Sequence, residues 1–157
     1  MNLTKYLVSN SYGPKMRMVF LLIWIFIVGT QSATMKSQLQ MEANAIMNSG
    51  WWNTSDAYFN ISNLCKWLEI ICNKAGSIKE IYKYSATTSE IHFTTLNLSV
   101  FQNLERLVVQ GVGLQGIIPK EIGLLSKLTY IDMSYNDLEG EIPHSLGNLT
   151  VKETIHL

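Results

Sequence analysis

One phrase occurs twice in this chain at a fixed offset. "VGLQGIIPKEIGLL" begins at Val112, and "NDLEGEIPHSLGNL" begins at Asn136, an offset of 24. Ten apolar, glycine or proline positions agree at this offset: Leu104, Leu107, Val109, Leu114, Gly116, Ile118, Pro119, Ile122, Gly123 and Leu125 recur as Leu128, Ile131, Met133, Leu138, Gly140, Ile142, Pro143, Leu146, Gly147 and Leu149. Such a period predicts a solenoid, because a single unit of this length cannot bury its own apolar face.

The first part of each repeat alternates between apolar and polar residues, as a short β-strand does. We expect Leu107 and Val109 to point into the core, and Arg106, Val108 and Gln110 to point outward. Strands from successive repeats should then stack side by side as a parallel sheet, with their inward residues forming one continuous core.

The pattern also predicts a strand before the two full repeats and another after them. Ile81 precedes Leu107 by an offset of 26, so a two-residue insertion is expected between Tyr84 and Asn97, most simply in the polar run S-A-T-T-S-E. Ile155 follows Ile131 at the regular offset of 24. We therefore expect the chain to end inside its next strand, as a piece or a truncated form of a longer repeat protein.

Asn136 stands where a side-chain amide can bond the backbone of a turn and satisfy its polar groups. Val112 occupies the equivalent place one repeat earlier, so we expect the turn at Val112 to be looser. Gly116 and Gly140 are expected to adopt backbone conformations that other residues avoid.

Residues 1–32 have the pattern of a secretory signal peptide. An uncharged apolar run from Met18 to Val28 follows Lys15 and Arg17, and small residues lead to a cleavage site after Ser32 or Ala33. The run is short for a membrane span, which takes about 20 residues. The alternative is an uncleaved signal anchor.

Cys65 and Cys72 are the only cysteines, and in a secreted chain such a close pair predicts a disulfide. The alternative is two reduced cysteines in the core. A helix is predicted over Ser37 to Ser49, ending at Gly50. Together with nearby tryptophans, the helix and the bridge are expected to form a lid over the first repeat, which would otherwise expose an apolar edge.

Composition and charge exclude several functions. Without residues 1–32, which hold three of the 12 basic side chains and no acid, the chain has 9 basic and 12 acidic side chains, a formal charge of −3, and no basic stripe for nucleic acid. His92, His144 and His156 have no metal-ligand spacing, so no metal or other cofactor is expected. No nucleophile–base pair or paired carboxylates can be recognised, so an enzyme is not expected.

The motif C-x-W-x-x-I-x-C from Cys65 to Cys72, followed by repeats with L-x-G-x-I-P, resembles the extracellular start of plant leucine-rich-repeat receptor-like kinases. The stretch "QLQMEANAIMNSGWW" resembles one subgroup, related to the pollen-tube-guidance receptor interactors. The resemblance implies an α/β leucine-rich-repeat solenoid of short parallel strands with a helical, disulfide-bonded N-terminal cap. The expected organisation is a signal peptide over residues 1–32, a cap over 33–77 and repeats over 78–157. The family has glycine at the place of Glu69, so the cap turn is expected to differ here.

The predicted function is extracellular recognition of a peptide or protein ligand, such as a co-receptor ectodomain, as the first part of a receptor-like kinase in the secretory pathway or at the outer face of the plasma membrane. The candidate contact residues are Arg106, Val108, Gln110, Tyr130, Asp132, Ser134 and Tyr135. Membrane attachment is expected only through a C-terminal span outside this chain or an uncleaved signal. The alternatives are a secreted inhibitor and a truncated product without function of its own.

Four sequons follow the predicted signal peptide, at Asn53, Asn60, Asn97 and Asn148. In a secreted chain these are the candidate glycosylation sites. Asn97 flanks an expected core leucine, whereas the other three lie in expected surface turns.

Overall fold

The computed structural model describes residues 14–53, 61–84, 90–149 and 154–157. In chain order the strands are β1 (Ile70–Cys72), β2 (Ile78–Lys83), β3 (Ile91–His92), β4 (Arg106–Val109), β5 (Leu114–Ile117), β6 (Tyr130–Asp132), β7 (Asp137–Glu139) and β8 (Thr154–His156). An α-helix, α1 (Pro14–Asn48), precedes them. The 3-10 helices in the described part of the chain are Ile61–Lys66, Phe93–Thr95, Leu98–Val100, Lys120–Leu124 and His144–Asn148.

The chain divides into two compact units, Met1–Lys36 and Ser37–Leu157. In the first unit, the apolar side chains from Met18 to Val28 are all exposed, from 40% to 73%. No helix in the described ranges is long and apolar enough to cross a membrane. The signal peptide stays a prediction.

Helix α1 ends at Asn48, which confirms the predicted stop before Gly50. Its predicted start at Ser37 is wrong, because the helix begins at Pro14. Proline is well tolerated in the first turn of a helix, and the residues that follow include many good helix formers with no further proline.

The main sheet of the second unit has the strand order β1-β2-β4-β6-β8. Strand β1 is antiparallel to β2, and β2, β4, β6 and β8 are parallel to one another. Leu107 pairs with Ile131, and Ile131 pairs with Ile155, which confirms the offset of 24. Ile81 pairs with Leu107, which confirms the offset of 26 for the earlier strand.

A second sheet, with the order β3-β5-β7, is not predicted by the sequence pattern. It lies after the turn of each repeat, where Gly116 pairs with Leu138. Gly116 has φ +85° and Gly140 has φ +80°, a region that suits glycine. Ile91 pairs with Leu114 at an offset of 23, so the additional residues lie between β2 and β3. Much of the expected insertion falls on residues 85–89, outside the described ranges.

The apolar core runs through both sheets and continues into the cap. Trp51 is fully buried, stacks on Trp52 and packs against Phe93. Its indole Nε1 donates to the carbonyl oxygen of His92 at 3.0 Å. The predicted lid is therefore packed on the first repeat, with the large aromatic area expected of such a contact.

A buried carboxylate ties the end of α1 to the first parallel strand. Glu42 has no exposed surface, and its Oε2 accepts from the Ile78 N–H at 2.7 Å. Its Oε1 accepts from the Ser77 hydroxyl at 2.6 Å and from Gln38 Nε2 at 2.9 Å. Since a buried polar group is costly unless it is bonded, these contacts fix the last turns of α1, around Glu42, against β2.

The Cys65–Cys72 disulfide is present, with the two Cα atoms 5.5 Å apart. Beside it, Glu69 takes up contacts that a glycine could not make. Its carboxylate accepts from the Trp52 indole N–H and lies 3.6 Å from Nζ of Lys83. Lys83 is only 3% exposed, and its ammonium lies 5.6 Å from the centre of the Trp52 ring. The cap thus contains a shielded ion pair at the place where the resemblance implies glycine.

Asn136 bonds the turn as predicted, but the bonds go mainly to the preceding repeat. Its Oδ1 accepts from the N–H groups of Val112 and Leu114, each at 3.1 Å. Its Nδ2 donates to the carbonyl oxygens of Val109 and Met133. The expectation of a looser turn at Val112 is therefore wrong, because the asparagine secures the turn one repeat before its own.

Candidate recognition surface

The side of the main sheet that faces away from the core is called the outer face here. Strand register aligns its residues in rows across β2, β4 and β6. Glu80, Arg106 and Tyr130 form one row, and Tyr82, Val108 and Asp132 form the next. The stacking of repeats therefore brings residues that are distant in sequence into contact, at the spacing of neighbouring strands, about 4.8 Å.

Arg106 is the centre of the first row. Its guanidinium lies 4.0 Å from the centre of the Tyr130 ring, and its Nε lies 4.0 Å from a carboxylate oxygen of Glu80. The Arg106 side chain is 31% exposed. A planar cation stacked on a tyrosine is held in a narrow range of orientations, so it can meet a ligand with little further loss of conformational freedom.

Two tyrosines extend the outer face on β2 and just beyond it, and the candidate contact residues did not include them. Tyr82 and Tyr84 stack with their ring centres 5.9 Å apart, and the Tyr82 hydroxyl donates to Glu80. Partial burial raises the pKa of both phenols, so they stay neutral hydrogen-bond donors. The signal was available in the sequence, since alternation about the inward Ile81 places residues 80 and 82 outward.

Gln110, Ser134 and Asp132 form a polar chain beside the tyrosines. Gln110 Nε2 donates to the Ser134 hydroxyl oxygen at 3.2 Å, and that hydroxyl donates to Asp132 Oδ1 at 2.6 Å. Partial burial acts to raise the pKa of Asp132, but the two hydrogen bonds from Ser134, with a contribution from nearby His156, lower it below its ordinary value. Asp132 therefore presents a negative charge on this face.

Val108 is a correction to the expected contact residues. It is 5% exposed, although it does not belong to the main cluster of packed core residues. It lies in the middle strand between Tyr82 and Asp132, both of which have longer side chains. Strand alternation gives the correct face for Val108 but not its accessibility.

Tyr135 lies in the turn after β6 and not on a strand as expected, and Gln110 and Ser134 likewise lie just beyond the ends of β4 and β6. Its backbone φ of 58° is in the left-handed region, the same conformation as Gly111 in the preceding repeat. The side chain is 83% exposed. Arg106, Gln110, Tyr130, Asp132 and Ser134 remain together on the outer face.

Three of the candidate glycosylation sites lie within the described ranges. Asn53, Asn97 and Asn148 are all exposed. Asn97 Oδ1 accepts from the N–H and the hydroxyl of Ser99, which leaves its Nδ2 as the atom that would carry a glycan. Asn60 lies outside the described residues.

Within the described ranges, no group of three or more His, Cys, Asp or Glu side chains could hold a metal ion. The buried acid of the cap, Glu42, is fully engaged in structural hydrogen bonds. What the outer face offers is a set of stacked rings, a guanidinium and two carboxylates, an arrangement for binding.

Comparison with known proteins defines the class of fold. The family described as Leucine Rich Repeat matches residues 127–149. The leucine-rich-repeat ectodomain of the membrane receptor kinase GASSHO1/SCHENGEN3 from Arabidopsis thaliana, in complex with CASPARIAN STRIP INTEGRITY FACTOR 2, superposes with a TM-score of 0.56 at 23% identity. That match covers 71% of this chain and 14% of the other. The PEPR1–AtPEP1 structure gives a TM-score of 0.54 at 21% identity, covering 74% of this chain and 18% of the other. The chain has a leucine-rich-repeat fold.

Sequence relatives point to plant receptor kinases. The Arabidopsis thaliana leucine-rich repeat receptor-like serine/threonine-protein kinase RGI4 is 36% identical over 108 residues, 69% of this chain and 9% of that protein. The receptor-like protein kinase HAIKU2 of the same plant is 25% identical over 154 residues, 90% of this chain and 15% of that protein. The chain is thus similar to a small part of each relative. What it shares with them is leucine-rich-repeat sequence, so the kinase activity in their names is not carried over.

Proposed function

We propose that the outer face recognises an extended peptide or protein segment outside the cell, as the first part of a receptor-like kinase ectodomain. The observation that carries the proposal is the row of Glu80, Arg106 and Tyr130, in which the arginine is held by an ion pair on one side and a ring on the other. Arginine and tyrosine are among the residues that dominate binding energy at protein interfaces.

The size of the face limits what it can hold. From β2 to β6 it is about 10 Å wide, which matches roughly three residues of an extended segment. Acidic groups lie at both ends of this width, Glu80 and Asp132, with Arg106 between them. The partner that fits is a short segment with an aromatic or aliphatic side chain to lie on the tyrosines and polar groups to meet Arg106 and Asp132.

The similarity to plant receptor kinases supports a place at the outer face of the plasma membrane or in the secretory pathway. It also supports residues 1–32 as a signal peptide, 33–77 as the cap and 78–157 as repeats. The narrower subgroup, related to pollen-tube-guidance receptor interactors, rests on the stretch "QLQMEANAIMNSGWW". The disulfide fits an oxidising compartment.

Selection from a library of random displayed peptides tests the recognition surface. Selected peptides are expected to bind the wild-type chain and to lose about tenfold or more in affinity for Arg106→Ala. Arg106→Lys keeps the charge without the planar stack and should lose part of this affinity. Leu124→Ala is the matched control, since Leu124 is 61% exposed and lies in a 3-10 helix away from the strands. Failure to select any peptide, or equal binding to Arg106→Ala, would contradict the proposal.

Secretion from plant cells tests the localisation. The expected product begins after Ser32 or Ala33 and carries glycans on one or more of Asn53, Asn60, Asn97 and Asn148. Intact-mass measurement before and after removal of N-glycans gives both results. A product that retains the predicted signal peptide supports the signal anchor, and a product confined to the cytosol contradicts an extracellular role.

A further inference from the structure

Glu69 lies in the loop between the two cysteines of the cap and holds the end of β2 through two separate contacts. Its backbone carbonyl oxygen accepts from the Tyr82 N–H at 2.8 Å. Its carboxylate lies 3.6 Å from Nζ of Lys83, the next residue along the strand. The first contact fixes the edge of the strand and the second fixes the side that faces inward. Together they fix how the end of β2 is rotated about its own axis.

Lys83 is shielded, so its ammonium cannot turn away from Glu69 into water. The side chain of Lys83 is 4% exposed and that of Glu69 is 22% exposed. The ammonium also lies over the ring of Trp52, whose indole N–H donates to the Glu69 carboxylate. On the side of β4, the carbonyl oxygen of Lys83 accepts from the Gln110 N–H at 3.0 Å. Since a buried charge is costly unless it is paired, Lys83 stays beside Glu69 and keeps its part of β2 there.

The rotation of β2 matters because the other side of the same strand carries the stacked tyrosines. Side chains alternate along a strand, so Tyr82 points outward where Lys83 points inward, and Tyr84 stacks on Tyr82. Tyr84 follows the last residue of β2 directly, so its position depends on that of Lys83. The Tyr82 hydroxyl donates to Glu80, which in turn lies 4.0 Å from Nε of Arg106. A turn of the strand end would therefore move the rings relative to the rest of the outer face.

We propose that Glu69 is a positioning residue for the outer face. Through the Tyr82 N–H and the Lys83 ammonium, it orients Tyr82 and Tyr84 for contact with the bound segment. The glycine that the resemblance implies at this place could make only the backbone contact. The inference rests on the proposed function, because the orientation of the rings matters to a ligand that binds the outer face.

The positions of the rings can be measured without any ligand. Tyrosine ring signals in NMR spectra of the full chain report them, and Tyr82→Phe and Tyr84→Phe assign the two signals. Glu69→Ala removes the carboxylate, keeps an ordinary backbone and should shift both. The signal of Tyr135, which is 83% exposed in the turn after β6, should not move. Leu68→Ala is the matched control, since Leu68 precedes Glu69 with its side chain 97% exposed, and it should shift neither ring signal.

A second variant separates positioning from stability. Glu69→Ala leaves the Lys83 ammonium without its carboxylate and should lower the folding equilibrium constant by about tenfold or more. Adding Lys83→Met replaces the shielded charge with an apolar side chain and should recover most of that loss. The rings should stay displaced in this double variant, because the side-chain tie between the cap and β2 is still missing. Glu69→Gln keeps an acceptor for the Trp52 N–H and should return the ring signals towards those of the parent.

Peptides selected on the parent chain connect ring position with binding. They should lose about threefold to tenfold in affinity for the double variant, because rings that are no longer held must be ordered when the peptide binds. Leu68→Ala should bind the same peptides as tightly as the parent does.

Two results would overturn the inference. The first is a double variant in which the Tyr82 and Tyr84 signals match those of the parent, which would leave the ion pair a role in stability alone. The second is displaced signals with unchanged peptide affinity, which would show that ring position does not affect recognition. Failure to select any peptide contradicts the proposed function, whereas the ring signals still decide whether Glu69 positions the tyrosines.

Discussion

Ile118 and Ile142 occupy the same place in consecutive repeats, yet Ile118 is 8% exposed and Ile142 is 60% exposed. The same difference, less pronounced, separates Leu125 from Leu149, of which only Leu125 is fully in the core. The first repeat has a neighbour on both sides, whereas the second has a complete neighbour on one side only. The burial of a residue in this fold is therefore set by the following turn as much as by its own sequence.

The largest expected effect comes from truncating this pair of isoleucines. Ile118→Ala removes buried atoms and leaves a cavity, so it should lower the free energy of unfolding by about 2–4 kcal/mol. Ile142→Ala should lower it by less than about 0.5 kcal/mol, because the side chain is largely in water already. Urea unfolding of both variants measures the difference. Equal losses would show that the two repeats are equally covered.

Removal of the disulfide tests the covered start of the stack. Cys65→Ser opens a short loop in the cap, and we expect a loss of about 2–3 kcal/mol and a lower secreted yield. Leu68→Ala is the control, because Leu68 lies in the same loop with its side chain 97% exposed, and it should have little effect. An unchanged melting temperature and yield for Cys65→Ser would show that the bridge does not stabilise the cap.

Asn136 links the two repeats, and its removal should weaken the earlier one. Asn136→Ala leaves the N–H groups of Val112 and Leu114 without their acceptor, at an expected cost of about 2 kcal/mol. Gln110→Ala is the control, since the one described hydrogen bond of its side chain, to Ser134, is on the half-exposed outer face. Calorimetry compares the two variants. A similar small loss in both would contradict the role given to the asparagine.

The smallest expected effect is a pH dependence at the cap. Burial lowers the pKa of Lys83, with Glu69 acting in the opposite direction. At alkaline pH below 10.5, the ordinary pKa of lysine, the unfolded chain therefore binds a proton at Lys83 more readily than the folded chain does. Because the unfolded chain binds more protons, the free energy of unfolding rises with pH in that range. Lys83→Met should remove the rise. The urea midpoints of the parent and of Lys83→Met between about pH 8 and about pH 10 measure this rise. The same change of midpoint with pH in both proteins would contradict the role given to Lys83.

Much of the solenoid could be predicted from its period. The inward positions of Leu107 and Ile131 follow from spacing alone, because a fixed repeat must place equivalent residues in equivalent rows. The same reasoning gives Ile155 its partner in β6 and Asn136 its bonding role. The second sheet escaped prediction because Leu114 to Ile117 carries a glycine and no strict alternation, so its strand forms only when successive turns align it.

The candidate site was predicted less completely than the fold. Arg106 and Tyr130 were recognised one by one, but their stacking depends on which strands become neighbours. Val108 was expected to be exposed, because alternation describes a single strand and not the longer side chains beside it. The Glu69–Lys83 pair escaped for a similar reason, since the two residues are apart in sequence and meet only when β1 pairs with β2.

Amide hydrogen exchange tests most directly whether each turn is completed by the one that follows. The N–H groups of Val112 and Leu114 donate to Oδ1 of Asn136, whereas Asn136 and Leu138 hold the equivalent places in the second repeat. Exchange at Val112 and Leu114 is expected to be slower by about tenfold or more than at Asn136 and Leu138. Equal protection of the two pairs would contradict the dependence of each repeat on its successor.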